Sequence, residues 1–510
     1  MSYIKDTIRL EVRHDAIYRI AIGINSDGPR DQCDLFIPVT LPIDQHDIPN
    51  STYGFLRSLF GLMLSSIIIC RLGTPWKREK VTVQIDGSLP RRVKGDVECI
   101  LSNFMVSRAI LSNKCPAEHI EVEIEADFMG ANVGHELSLH DNKVILAFSG
   151  GMDSTSILRF YRDSGIEVTP VFAKYESNKH SDVQRDMISA ARILDYMGLK
   201  EEAVNVGFIL DEVKRVIPWQ TRMYDRWYYE DPNPQDLDDW DYYGRNAVIT
   251  AILLFLCVSK QAKYIALGHT PEGLFSTQRH RGIEFYDRCC ASIYFVHFFN
   301  KVLDKLFGKT EVALIAPLMN MDKIAMTKYL LGDPKLFSLT HSCISGCEVE
   351  DGICFSCFDR LTGILASVPA ERLKVAKSGD VYNLYVDSHC VSSVKWIPHR
   401  NDSSIWGKQL LYYCNASEED RAKMINGIYD PRRIVGALKN IRKNDALWDV
   451  LPREFEECRA RCEHEEQKGV IKASIITPLE FVRTYKERFD RRLVATRCRN
   501  VEGTVVVGFA

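Results

Sequence analysis

The chain has no apolar run long enough to span a membrane. Its longest, Ser58 to Cys70 and Ala247 to Val258, stop short of the roughly 20 residues a bilayer core demands and read instead as core helices. The opening MSYIKDTIRLEVR lacks the apolar stretch of a secretory signal. Charge of one sign is also missing. Against 65 Lys and Arg stand 68 Asp and Glu, a formal net charge of −3 with a pI near 6.5, so there is no global basic field of the kind that marks general nucleic-acid binding. There is no internal repeat or low-complexity tract. The commonest phosphate motif is incomplete: Gly308-Lys309-Thr310 resembles its tail, but Leu303 stands where its first glycine belongs.

Cysteine is plentiful. Sixteen thiols in a chain with no export signal argue for a reducing, cytoplasmic setting, where clustered cysteines bind metal more often than they pair. The 510 residues are enough for two to four domains at roughly 150 residues each.

The most telling stretch is VILAFSGGMDS, Val144 to Ser154. A short apolar run ends in two glycines, and TSILRFYRDSG follows with Ile157, Leu158 and Tyr161 at helical spacing. A turn between a buried strand and a helix start can bring its backbone close to a ligand. The unpaired N–H groups of the first helical turn, with the hydroxyls of Ser149 and Ser154, favour an anion there. Asp153 would repel a phosphate unless a divalent cation lay between them, and Mg²⁺ commonly takes a carboxylate together with phosphate oxygens. Ordinary capping explains any two of these residues; six in succession in this context point to a phosphate site.

Around this motif the chain changes rhythm. Residues 1–140 carry alternating segments (Ile8 to Val12, Tyr18 to Ile22, Val81 to Ile85, His119 to Ile124) around a helix candidate near Phe55 to Ile69, which predicts a mixed, strand-rich N-terminal domain. From 141 to 340 strands alternate with helices. Strands are expected at Val144 to Phe148, Glu167 to Ala173, Ala203 to Val206, Tyr264 to Leu267 and Val312 to Ile315. Helices are expected from Ser154, near Val183 to Met197, from Arg245 to Lys260 and near Ser292 to Phe307. That rhythm predicts an α/β fold with a doubly wound parallel sheet, whose ligands bind at the carboxyl ends of the strands. Trp219 to Tyr243 interrupts it with aromatics, acids and two prolines, and reads as a surface insertion, either a lid or a self-packed loop. Residues 371–510 read as mostly helical, with candidates at Glu418 to Ile428, Pro431 to Ile441, Arg453 to Glu466 and Leu479 to Phe489.

Between these regions, in 341–370, lies HSCISGCEVEDGICFSCFDR. Cys343, Cys347, Cys354 and Cys357 are spaced for a loop to fold around one tetrahedral Zn²⁺, with Gly346 and Gly352 easing the turns. Free core thiols and an iron–sulfur cluster are the alternatives. A closed four-thiolate site has no open position, so its work would be structural. Cys458 and Cys462 have no fourth ligand near them and read as packing residues.

Motif and cluster together resemble the 7-cyano-7-deazaguanine synthase (QueC-like) family of N-type ATP pyrophosphatases, over roughly Lys143 to Ala366. The likeness rests on AFSGGMDST, YGRN at Tyr243 to Asn246, ALGHTPEG near Gly268, APLMNMDK at Ala316 to Lys323 and the final SC…CFSCFDR. It implies a PP-loop fold with ATP and Mg²⁺ as cofactors. Phe148, Ser149, Gly150, Gly151, Met152, Asp153, Ser154 and Thr155 would hold the phosphates, with Asp153 near Mg²⁺, and Arg245 and Asn246 would contact the nucleotide or its adduct. An arginine suits phosphate through its forked donors, with a capping or surface arginine as the alternative for Arg245. The sequence departs from the family at Lys174-Tyr175-Glu176-Ser177, at Tyr286-Asp287-Arg288-Cys289, and at Asp351, where the family would place a cysteine that Cys347 replaces here. Its length is more like that of the long QueC-like proteins of bacterial antiviral operons (type IV CBASS, Qat) than that of the short housekeeping members.

The implied reaction is ATP-dependent adenylation of a 7-carboxy-7-deazaguanine-type acid followed by amine attack, a C–N ligase chemistry releasing AMP and pyrophosphate. The amine would be a partner protein's N-terminus or ammonia. A tRNA-modifying enzyme and a non-catalytic ATP sensor are the rivals. Nucleic acid is not an expected partner, since Arg432, Arg433, Lys439, Arg442 and Lys443 make only a modest basic patch that a solvated helix face explains as well.

Overall fold

The computed structural model describes residues 7–12, 17–23, 32–40, 48–71, 80–111, 121–129, 139–175, 181–199, 204–208, 242–270, 277–280, 283–286, 289–307, 312–318, 323–343, 349–350, 356–357, 360, 363–364, 367–369, 372–379, 381–395, 496–501 and 504–509. Up to residue 140 the chain forms β1 (Thr7–Val12), β2 (Ile17–Gly23), β3 (Gln32–Thr40), α1 (Asn50–Arg71), β4 (Lys80–Pro90), α2 (Lys94–Leu111) and β5 (Glu121–Met129). Then follow β6 (His140–Ala147), α3 (Met152–Asp163), β7 (Glu167–Tyr175), α4 (Ser181–Met197), β8 (Val204–Phe208), α5 (Tyr242–Ser259) and β9 (Ala262–Ala266). A hairpin of β10 (Thr277–His280) and β11 (Ile283–Tyr286) leads to α6 (Ile293–Phe307), β12 (Ala313–Ile315), α7 (Lys323–Leu330) and α8 (Pro334–Leu339).

The heart of the molecule is the parallel run β12-β9-β6-β7-β8, set within a 12-stranded sheet. Apolar residues fill β12, β9, β6 and β7 on both faces, and their alternation sorts them into two cores. Ile145, Ile265 and Leu314 face one core with α1, α2, α5 and α6. Val144, Leu146, Ala266, Ala313 and Ile315 face the other with α3, α4 and α7. The stretch Ala247 to Val258 belongs to α5, and all of it but the half-buried Ile249 is buried between α1 and the sheet, which is why it reads as uniformly apolar. No helix of the described residues is long and apolar enough to cross a membrane.

The strands before residue 140 continue the same sheet, β3 pairing antiparallel with β8 and the order running on as β2-β1-β4-β5. Helix α1 shares its core with α5, where the rings of Tyr53 and Phe255 meet edge to face at 5.8 Å.

Beyond residue 370 the described chain differs from the helical expectation. It forms an antiparallel meander of β13 (Leu373–Ser378), β14 (Val381–Val386) and β15 (His389–Lys395), and later a hairpin of β16 (Thr496–Val501) and β17 (Thr504–Phe509) beside β12. The cause is local. Leu384 and Val386 are buried two residues apart, and the connection Asp387-Ser388 has both φ values positive, 47° and 70°, the geometry of a two-residue hairpin turn. The four helix candidates between Glu418 and Phe489 lie outside the described residues, as does the Trp219 to Tyr243 insertion up to residue 241.

Candidate nucleotide site

Strand β6 has β7 on one side and β9 on the other, so the crossover helices leave in opposite directions and open a crevice at the carboxyl end of β6. The turn Phe148 to Gly151 stands at that crevice. Phe148 extends the strand pairing, its N–H donating to Val171 O at 2.9 Å, and the chain then reverses at Gly150, whose φ is +76°. Glycine is required there twice over. The backbone is left-handed, and a Cβ would stand 2.5 Å from Ala190 N on α4.

Helix α3 begins with Gly151 as an extended N-cap that supplies no side-chain acceptor. The first-turn N–H groups are therefore left for a ligand, and they lie at the positive end of the helix dipole. Ser149 and Ser154 bring their hydroxyls within 3.3 Å of each other, and Ser154 Oγ also accepts from Ser149 N at 3.2 Å. Thr155 Oγ1 donates to Gly151 O at 2.8 Å. Phe148, Met152, Ser154 and Thr155 are buried, whereas Ser149 is exposed and Gly151 and Asp153 are partly so. Of the eight residues assigned to phosphate, Met152 and Ser154 would serve through backbone N–H groups and Ser149 and Asp153 present side chains, while the N–H groups of Phe148 and Thr155 are already bonded to Val171 O and Gly151 O.

Asp153 points to a partner that its sequence neighbourhood does not announce. Lys323, at the start of α7, places Nζ 2.5 Å from Asp153 Oδ1. A cation and a carboxylate beside an anion-binding helix start suit a phosphate accompanied by Mg²⁺: the ammonium balances phosphate charge and the second carboxylate oxygen is available to the metal. The loop after β9 closes the other side. A Cβ on Gly268 would lie 3.5 Å from Asp153 Cβ and 3.6 Å from Ser154 N. The next residue, His269, is buried, with Nε2 3.2 Å from Asn246 Nδ2. Asn246 thus lies on the β9 side of the crevice. Arg245 precedes it in α5, and its side chain is outside the described residues.

Cys343 and Cys357, fourteen residues apart in sequence, are 2% and 1% exposed and pack together. Cys347 and Cys354 lie outside the described residues, and no group of three or more metal-ligating side chains occurs among the described ones. Two adjacent buried thiols are the donor chemistry that zinc takes. The cysteine segment also reaches the phosphate turn. Gly151 and His341 form a parallel bridge, His341 N donates to Gly150 O at 3.3 Å, and a Cβ on Gly363 would fall 2.2 Å from Thr327 Oγ1, which itself lies 3.4 Å from Met152 Sδ. Lys323 belongs to the APLMNMDK segment, but nothing in spacing ties it to Asp153. The basic residues between Arg432 and Lys443 lie outside the described residues.

Fold and turn define a class: an open α/β sheet with a glycine turn and an uncapped helix start at its switch point, an arrangement suited to an anion. Within that class, residues 143–367 match the family model for queuosine biosynthesis protein QueC. The chain is similar to 7-cyano-7-deazaguanine synthases. That of Marinomonas sp. (strain MWYL1) is 25% identical over 219 residues, 43% of this chain and 91% of that protein. That of Methanosphaera stadtmanae is 24% identical over 230 residues, 42% and 90% of the two chains, and that of Methanocaldococcus jannaschii is 26% identical over 196 residues, 36% and 75%.

Proposed function

We propose that this chain spends ATP to activate the carboxylate of a 7-carboxy-7-deazaguanine-type acid and transfers the acyl group to an amine. The observation that carries the reading is the uncapped start of α3 beyond the Gly150-Gly151 turn, with the Asp153–Lys323 pair at its edge. It is supported by the likeness of residues 143–367 to deazaguanine nitrile synthases.

A carboxylate oxygen attacks the α-phosphorus of ATP, the bond to the bridging oxygen breaks, and pyrophosphate leaves with the electron pair. The first-turn N–H groups of α3 and the Lys323 ammonium would bind and orient the departing phosphates. Mg²⁺, when bound at Asp153, would neutralise part of their charge. The amine nitrogen then attacks the acyl carbon, AMP departs, and the amine proton passes to solvent. Positioning supplies much of the rate when the nucleophile is a neutral amine. Zn²⁺ held by Cys343, Cys347, Cys354 and Cys357 would fix the loop that touches the phosphate turn.

With ammonia the product is an amide, which a second adenylation and loss of AMP converts to the nitrile. With a partner protein's N-terminal amine it is a stable conjugate, the reading we favour, as part of antiviral defence. Its support is the large part of this chain, before residue 143 and after residue 367, that lies outside the family match. The test is mass spectrometry of reactions holding ATP, Mg²⁺, the acid and either ammonia or proteins encoded beside this one. AMP formation that depends on the acid is expected. A mass increase on a protein selects conjugation, and free nitrile selects the housekeeping reaction. Retained ATP with no AMP under any acceptor overturns the enzyme reading in favour of a sensor.

A further inference from the structure

The peptide between Gly150 and Gly151 decides where an anion can sit. A trans peptide points its C=O and N–H in opposite directions, so fixing the Gly150 carbonyl fixes the Gly151 N–H. A glycine at φ +76° does not fix it unaided, because glycine crosses between conformations at little cost. A donor on the neighbouring segment does. His341 N–H donates to Gly150 O at 3.3 Å, and that segment is itself tied to α4 by Ser189 Oγ, which donates to Leu339 O and lies 3.4 Å from Gly150 O. The Gly151 N–H is thereby turned the other way, toward exposed Ser149, whose Oγ it meets at 3.3 Å.

The piece Leu339 to His341, the last residue of α8 and the two that follow it, is itself fastened from behind. Arg360, 2% exposed, donates from Nη1 to Thr340 Oγ1 at 2.5 Å and from Nη2 to Phe337 O at 3.1 Å and to Val391 O on β15 at 2.7 Å. Its guanidinium carbon lies 4.2 Å from the centre of the Phe337 ring, and Nε is 3.2 Å from Glu350 Oε1. Burial pulls the guanidinium below its ordinary pKa, and Glu350 opposes that pull. Glu350 is held in turn by Ser392 Oγ and by its own N–H to Ser393 O at 3.0 Å. A planar fork with donors on three sides suits this arrangement; an ammonium does not.

We propose that Leu339 to His341 is a clamp that sets the peptide plane of the phosphate turn, and that Arg360 is the positioning residue that holds the clamp. This rests on the reading of the turn as a nucleotide site. It gives the cysteine segment, to which Arg360 belongs, a direct bearing on nucleotide affinity.

The test is titration of the full chain with a non-hydrolysable ATP analogue and Mg²⁺, alongside thermal melting. Arg360→Lys keeps a charge facing Glu350 but cannot reach three acceptors, and should weaken binding about tenfold in the folded protein. Thr340→Val removes one acceptor without touching the buried charge and should weaken it about threefold. Arg372→Ala, at the exposed Arg372–Asp387 pair of the same small sheet, should leave binding unchanged. A purely structural role would lower the melting temperature and leave the affinity of folded molecules at the wild-type value; that result for both clamp variants overturns the proposal. An equal loss in Arg372→Ala overturns it too. If Arg360→Lys does not fold, Thr340→Val decides alone. Failure of the wild-type chain to bind the analogue removes the nucleotide reading itself, a separate outcome.

Discussion

The phosphate turn and the Arg360 hub solve opposite electrostatic problems, with 210 positions between Gly150 and Arg360 in the chain. The turn gathers donors for an anion that arrives from outside, so it leaves N–H groups of α3 uncapped and keeps Ser149 exposed. The hub buries a cation and must surround it with acceptors, which it draws from α8, Thr340, Glu350 and β15. One is partly open; the other is closed, with Nη1 and Nη2 of Arg360 hydrogen-bonded and Nε ion-paired with Glu350. The two meet at one point, where His341 touches Gly150. Changes in the turn should therefore act on the nucleotide directly, and changes at the hub should reach it through His341.

The largest expected effect comes from Asp153→Asn. It removes the carboxylate available to Mg²⁺ and half of the ion pair with Lys323, and acid-dependent pyrophosphate release should fall about a hundredfold. Because the Asp153 side chain is 31% exposed, the fold should lose less than about 1 kcal/mol. Denaturant unfolding beside a release assay checks both, and a large stability loss would show that the pair is structural.

Gly150→Ala should damage binding and fold together. The methyl meets Ala190 N at 2.5 Å and the residue must hold φ +76°, so about 3 kcal/mol of stability should be lost, read as a lower denaturant midpoint with little remaining ATP binding.

On the hub side, Gly363→Ala places a methyl 2.2 Å from Thr327 Oγ1 and 2.9 Å from its Cβ. Overpacking of this kind costs about 1–3 kcal/mol. Adding Thr327→Ala in the same chain should restore most of the loss. No rescue would mean that the close approach is not the source of the strain.

How legible these regions were follows from sequence separation. In the turn, the bonds among Ser149, Gly151, Ser154 and Thr155 span five residues or fewer, so the motif exposes its own geometry, and the strand–helix rhythm around it marks β6, α3, β7, α4, α5, β9 and α6 to within a few residues. The hub's bonds join Arg360 to residues 10 to 31 positions away, and Lys323 meets Asp153 across 170. A lone arginine after a cysteine pair carries no local mark of full burial. Likewise, nothing in periodicity says that β3 should pair with β8 and extend one sheet across residue 140. The meander β13 to β15 carries a local signal of its own: VYNLYV and HCVSSVK flank Asp387-Ser388 with strand-forming residues.

The smallest effect belongs to Gly268→Ala, and it discriminates most finely. The added methyl would lie 3.5 Å from Asp153 Cβ and 3.6 Å from Ser154 N, ordinary contacts that the protein accommodates without moving. Stability should stay within about 0.5 kcal/mol of the parent, as for a substitution that neither strains nor overpacks. The methyl nevertheless occupies the approach to a first-turn N–H of α3, space that a bound phosphate or ribose needs, and ATP affinity should fall about tenfold. Unchanged affinity in a fully stable variant would place the ligand away from the β9 side of the crevice, leaving Asn246 and His269 with a structural pairing rather than a place beside the nucleotide.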